Sequence, residues 1–531
     1  MARRAVALAG VVALLLAVVA CGGGDGSKAP RTLRVAIGND PASLDPGRGI
    51  DPPAADVIYN LGDPLVRLGK DYEAVPSLAR SWEWSADGKT IAFHLRDDGR
   101  WTNGDPVTAD DFEWSWKRLL SPELGAGYAY QLYGIAGARA YNQCTKECGT
   151  LRDKVGVIAI DDYTLRVRLR SPQPWFPQQV VHQAFLAVHR PTVERFPRTW
   201  TDPKHIVTNG PFRLASWTHD KSLVLVKDEG WRDANDVWLD RVVFPVIPDA
   251  AATYQAFRRG AVDATAGDLA ALADQIPAGS REKATYPLPL TFYYGFNLKN
   301  IPDLNQRRAM AFAIDRQALS KALGALLLPA TAFIPPGMPG FDRIAGDFLP
   351  QMTDLEKARA YMQRARNPKR RITLFLNDAP DIARTGEIAR ESWGRIGIET
   401  KIKILEWAQF LDAVGPPPRS DVDVVHMGWI ADYLDPYNFF QILSCDSENN
   451  NWNFCDPAYE RLVRQASRTP DPESRYPIYA QLEARITGPR GLLPIIPVHW
   501  STINTLEEPS IRGTFNVDPL FYVDLTAVRP K

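Results

Sequence analysis

Cysteine and histidine are scarce in this chain, five and seven in 531 residues. No HExxH pair occurs among the histidines, no GxSxG elbow carries a serine, and no phosphate-cradling glycine loop is present. The usual signatures of zinc hydrolases, of serine-nucleophile hydrolases and of nucleotide enzymes are therefore missing. A carboxylate pair across a cleft leaves no mark among 62 acidic residues, so an extracytoplasmic hydrolase stays an alternative, as does a surface scaffold. Net charge is lacking too. Removing Arg3 and Arg4 with the leader described next leaves 60 basic residues (62 minus 2) against 62 acidic ones, which gives no basic face for nucleic acid. No internal repeat is found.

Only one apolar run is long. Arg3 and Arg4 precede an unbroken apolar stretch from Ala5 to Ala20, the charged and hydrophobic regions of an export signal. At sixteen residues the stretch is short for a membrane span, and no stop-transfer charge cluster follows. Residues 1–20 are thus expected to be a removed signal peptide. Cys21 follows small residues in VVAC, and this junction resembles the lipobox of bacterial lipoproteins, with Val18 where a leucine is usual. Lipidation at Cys21 would leave 21–30 as a flexible tether; ordinary cleavage with a free Cys21 is the alternative. Four cysteines then remain and fall into two local pairs, Cys144 with Cys148 and Cys445 with Cys455. The pairs lie far apart with no histidine close to either, which argues against zinc and for two disulfides outside the cytoplasm. No cofactor and no metal is called for.

The composition, 45% hydrophobic and 23% charged, is that of a soluble globular body of two or three domains. Leu33, Val35 and Ile37 alternate as a half-buried strand. Asp87 and Gly88 turn a hairpin between WEWS and TIAFHL, and Thr108 with Asp111 opens a helix whose apolar face is Phe112, Trp116 and Leu119. A helix is predicted over 305–323, and a capping box of Thr353 with Glu356 opens another. Strand 372–376, helix 382–395 and strand 398–404 read as a βαβ unit, which makes the sheet at least partly parallel and the fold α/β. Pro457 starts a helix, and 473–486 forms the next one.

Fifteen tryptophans stand out, among them Trp101, Trp217, Trp231, Trp429 and Trp452 near turns. For any one of them, packing a core is the ordinary role; lining a pocket for a variable ligand is the functional one. Trp429 belongs to GWIADYLDP, residues 428–436, which follows the apolar run Val422, Val424 and Val425. Read as a strand leading into a loop, this places Asp432 just past a strand end, where ligands bind in open α/β sheets. Capping a turn is the ordinary job for such an aspartate.

Several stretches together resemble one family, the bacterial solute-binding proteins of family 5, the oligopeptide-binding type that serves ABC importers. They are DGKTIAFHLRDDGRWTNGDPVTADDFEWSWKR, HIVTNGPFRLASW, FNLKN with RRAMAFAIDR, and GWIADYLDP with NNNWNFCDPAYERL, in the family's order along the chain. The resemblance implies an α/β, two-lobed periplasmic-binding-protein fold with an extra domain, mixed sheets and a discontinuous first domain. The expected division is domain I from 31–75, 198–285 and 505–531, domain II from 76–197, and domain III, the second lobe, from 286–504. It also implies a monomer, held to the cell membrane on its extracytoplasmic face by the lipid alone, that captures peptides and delivers them to an ABC permease. Another amine-bearing ligand or a sugar is the alternative within the class.

Carried over residue by residue, the resemblance makes Asp432 the partner of a ligand's α-ammonium group, with backbone beside it pairing to an extended peptide. Gly428 would allow close backbone approach, Trp429 would wall a pocket, and Ala431 adjoins the anchor. Asp63 stands where a second acid can lie near the amine, and Tyr133 and Tyr522 stand where aromatic contacts fall. His426 and Ile382 occupy positions that can hold basic residues for the ligand's carboxylate, so that end of the ligand has no evident partner.

Overall fold

The computed structural model describes residues 30–69, 72–266, 283–323, 327–379, 382–415, 417–447, 449–513 and 523–531. The signal peptide, Cys21 and Tyr522 lie outside the described residues.

Three sheets carry the chain. The first has five strands, in the order Ala264–Thr265, Thr32–Ala36, Arg241–Pro245, Ser222–Lys227, Phe212–Thr218. It is mixed: Thr32–Ala36 runs parallel to both neighbours, while Arg241–Pro245 and Ser222–Lys227 are antiparallel. Leu33, Val35 and Ile37 point into its core, where Val523, Leu525 and Val528 join them from the C-terminal end of the chain. The second sheet is an antiparallel set of four strands between Ala79 and Arg168. Ile91, Phe93 and Leu95 face inward there, and the helix Ala109–Leu119 packs Phe112 and Trp116 onto the same core. The start of that helix is as predicted, with the Asp111 carboxylate accepting from the Thr108 amide at 2.8 Å.

The third sheet has six strands, in the order Leu327–Pro329, Ile495–Leu506, Lys283–Phe296, Val424–Ile430, Arg371–Asn377, Glu399–Leu405. The last two are parallel and flank the helix Ile382–Gly394, the expected βαβ unit. Both faces of this sheet are buried, one against Phe439, Phe440 and Trp452, the other against Met310, Trp393 and neighbours.

Two long strands, Lys283–Phe296 and Ile495–Leu506, reach from this sheet toward the first one. The Leu506 amide donates to the Thr265 hydroxyl at 3.0 Å, and Ala264 bridges Glu507. Their pairing is interrupted between Pro287 and Thr291, and there the Pro289 carbonyl accepts from the Ala431 amide at 2.9 Å. Proline has no amide to give the ladder, which explains why the register slips at this point.

Three sequence expectations are corrected. The predicted helix 305–323 is two helices, Leu304–Ala313 and Arg316–Leu323, with Ile314 extended between them. The cause is Arg316, fully buried, whose guanidinium donates to the carbonyls of Pro497, Ala311 and Pro350. Asp354, not Thr353, caps the helix Leu355–Arg364, because the Thr353 hydroxyl is donated to the Ala313 carbonyl. The strand before GWIADYLDP continues through Ile430, since Gly428, Trp429 and Ile430 pair with Phe292, Thr291 and Leu290.

Candidate functional site

The loop that begins at Ala431 carries the candidate site. Asp432 stands one turn before the short helix Tyr437–Phe440 and is half-buried where the lobes meet. One carboxylate oxygen, Oδ1, accepts from the Tyr130 hydroxyl at 2.7 Å, and Oδ2 accepts from the Asn438 amide at 3.2 Å. Burial pushes the carboxyl above the usual range, while these two donors pull it back. No cation contributes to its environment among the described residues.

Tyr130 belongs to the first lobe, in the turn Ala129–Gly134, 302 residues from Asp432. Tyr130 is 46% exposed as a residue, but the desolvation of its hydroxyl at the lobe junction and the Asp432 charge hold that group far above the ordinary tyrosine range, so it stays a donor. A second contact between the lobes lies beside the first. Trp175, buried in the first lobe, stacks on Tyr437 at 3.8 Å between ring centroids and lies parallel to Tyr433 at 6.3 Å. Leu68 and Tyr72, on the hairpin 66–76, pack against the second-lobe core.

The loop is anchored from behind. Asp435 is buried and accepts from Arg475 Nη2 at 2.7 Å, from the Tyr479 hydroxyl at 2.5 Å and from the Tyr437 amide at 2.9 Å. Arg475 and Tyr479 sit on the helix Pro472–Ile486, so the second lobe's core grips the loop three residues after Asp432.

The other residues singled out from sequence are placed as follows. Trp429 is half-buried against the core and donates its indole N–H to the Asn438 Oδ1 at 2.8 Å. Ala431 is buried in the same core. At Gly428 an added Cβ would fall 2.8 Å from the Phe292 ring, so the glycine makes room for a cross-strand neighbour. His426 points to the opposite face of the sheet from Trp429, by strand alternation. There it stacks on Phe292, 6.0 Å from the His499 ring, and burial lowers its pKa to about 3. Neither His426 Nε2 nor His499 Nδ1 has a hydrogen-bond partner among the described residues. Ile382 packs on that same helix-covered face.

Asp63 is fully buried in the first lobe. Arg232 donates to its carboxylate, as does the Ser77 hydroxyl at 2.7 Å, and its amide donates to Asn209 Oδ1 at 3.0 Å. Its charge is thus answered inside the protein. Tyr133 turns its hydroxyl to Asn142 at 2.6 Å, within the first lobe. Tyr130, three residues earlier, is the one that reaches Asp432. The stretch YAYQLYG offers three tyrosines, and nothing in it says which would meet a loop so far along the chain. Cys144 is joined to Cys148 and Cys445 to Cys455.

The profile of the bacterial extracellular solute-binding proteins, family 5 Middle, matches residues 73–451. The chain belongs to this family. It is 31% identical to the dipeptide-binding protein DppE of Bacillus subtilis (strain 168), over 93% of this chain and 91% of that one. It superposes on the unliganded open form of the periplasmic murein tripeptide-binding protein MppA with a TM-score of 0.82, at 27% identity, covering 94% of this chain and 97% of the other. Against another structure, of the Escherichia coli murein tripeptide-binding protein MppA, the TM-score is 0.68 at the same identity, covering 94% of this chain and 98% of the other. This family member is a binding protein of two α/β lobes, not an enzyme.

Proposed function

We propose that this protein captures peptides by their free amino end, with Asp432 as the ammonium anchor, and delivers them to an ABC permease. The observation that carries the reading is a carboxylate at the junction of the lobes that two neutral donors hold and that no cation meets among the described residues. Burying such a charge further, as closure of the lobes would, is costly unless a cation arrives with the ligand. Trp429 stands near the end of the strand that leads into this loop, as a wall for the first side chain, and Tyr522 is proposed as an aromatic contact from the C-terminal segment. The names of DppE and MppA, with their dipeptide and murein tripeptide, favour a peptide ligand.

The same reading takes the chain as a lipoprotein monomer, with the signal removed before Cys21 and the body tethered to the outer face of the cell membrane. Among the described residues no helix is long and apolar enough to cross a membrane. We divide the body as the sequence suggested, with domain I assembled around the five-stranded sheet, domain II around the four-stranded one and domain III around the six-stranded one.

Titration calorimetry with one peptide in free and N-acetylated forms tests the anchor. Asp432→Ala is expected to weaken the free peptide by about 30-fold or more, as losing one partner of a desolvated charge pair costs roughly 2–5 kcal/mol, and to change the acetylated peptide little. Equal weakening of both forms would remove Asp432 from this role. Native mass spectrometry of the protein as purified would identify the mass that travels with it.

A further inference from the structure

Asn438 has no exposed surface, and its side-chain amide is used on both sides. Its Oδ1 accepts from the Trp429 indole at 2.8 Å and from the Asp432 backbone amide at 3.3 Å. Its Nδ2 donates to the Asp432 Oδ2 at 3.2 Å. The orientation of the amide is dictated by these neighbours. An indole N–H and a backbone N–H can only donate, whereas an ionised carboxylate can only accept, so oxygen must face the first pair and nitrogen the second. An aspartate here would lose the donor, and a leucine would orphan three polar groups.

We propose that Asn438 is a positioning residue that sets the preference for a free amino end, by holding the Asp432 carboxylate in one orientation and Trp429 in register with it. This inference rests on the reading of Asp432 as the ammonium anchor. Asp432 has one oxygen held from its own lobe, by Asn438, and one held from the opposite lobe, by Tyr130. Only the first hold is independent of how the lobes stand, so Asn438 keeps the carboxylate aimed while the cleft is open. Pre-aiming spares the ligand the entropy of ordering the anchor as it binds. The tie to Trp429 adds that the ammonium position and the wall of the adjacent side-chain pocket shift together. Asn438 is itself set by its backbone, whose amide donates to the Asp435 carbonyl at 2.9 Å.

The test is the ratio of dissociation constants for acetylated and free forms of one peptide, measured for the full chain. In wild type the ratio is expected to be large. Asn438→Leu is expected to cut it about tenfold, mainly through the free form, and Asn438→Ser, which restores a small donor, to recover part of the loss. In the Asp432→Ala background Asn438→Leu should leave the ratio where Asp432→Ala put it. A ratio unchanged by Asn438→Leu, beside a large wild-type ratio, would overturn the role of Asn438 while leaving Asp432 as anchor. A wild-type ratio near one would overturn the anchor, and this inference with it. Thermal melts verify that each variant folds, and Asn438→Ala replaces the leucine variant if that one does not.

Discussion

Two aspartates, Asp63 in the first lobe and Asp432 in the second, were singled out for the same chemistry, and the structure treats them in opposite ways. Asp63 has no exposed surface, and Arg232 meets it directly. Asp432 is half-buried and is held by a phenol and a carboxamide. A buried carboxylate with its own guanidinium has little left to offer a ligand, because the ligand would have to displace a partner already desolvated. A carboxylate steadied by neutral donors keeps most of its charge for an incoming ammonium. Asp435, only three residues beyond Asp432, is of the first kind, which shows that the distinction is made by partners and not by position in the loop.

The largest expected effect comes from breaking the internally paired acids. Asp63→Ala leaves the buried Arg232 with Asp233, at 3.0 Å, as its remaining carboxylate and should cost about 3 kcal/mol in chemical denaturation, with peptide affinity of the folded protein unchanged. Asp432→Ala, by contrast, should cost only about 1 kcal/mol at neutral pH, since the lost hydrogen bonds from Tyr130 and Asn438 are offset by removal of a charge that burial disfavours. A large stability loss at Asp432 would erase the contrast.

A smaller effect tests whether the face of the sheet behind Trp429 is core. His426 is held neutral by burial, with its pKa lowered to about 3 from an ordinary value near 6.5. Below that ordinary value the unfolded chain takes a proton that the folded chain refuses, so stability falls as pH drops from about 6.5 toward 3. The slope is at most about 1.4 kcal/mol per pH unit for one imidazole. His426→Phe should reduce the loss between pH 7 and pH 5 by about 2 kcal/mol in urea titrations at the two pH values. An unchanged slope would show that His426 can already protonate in the fold. The smallest effect belongs to Tyr130→Phe, which removes one hydrogen bond between the lobes, worth about 0.5–1.5 kcal/mol. It should widen the ligand-free particle in small-angle scattering; identical scattering would mean that the bond does not bias the lobes.

Much of the architecture was legible because it rests on local pattern. The hairpin at Asp87 and Gly88, the helix opened by Thr108 and the βαβ unit from Arg371 to Leu405 are set by residues a few positions apart. The break at Ile314 was not legible, because its cause is an arginine bonded to carbonyls as far away as Pro497. The site divides along the same line. Asp432 could be placed past a strand end from its own neighbours, whereas Tyr130 and Trp175 come from the other lobe and leave no local trace. Of the five tryptophans noted near turns, Trp101 and Trp452 are buried core residues, and Trp217 gives its N–H to Asp40 at 2.9 Å.

The slipped register between Pro287 and Thr291 bears on how motion would travel through the molecule. The long strand pairs with Ile495–Leu506 up to Pro287 and again from Thr291; in the gap, at Pro289, its carbonyl goes to Ala431. Whatever twist the first lobe imparts to that strand arrives one residue from Asp432 through main-chain bonds, the one from Ala431 to Pro289 and the ladder to Val424–Ile430 beside it. Because no side chain lies on that path, the linkage between lobe movement and anchor should survive wide changes in the residues that line the cleft.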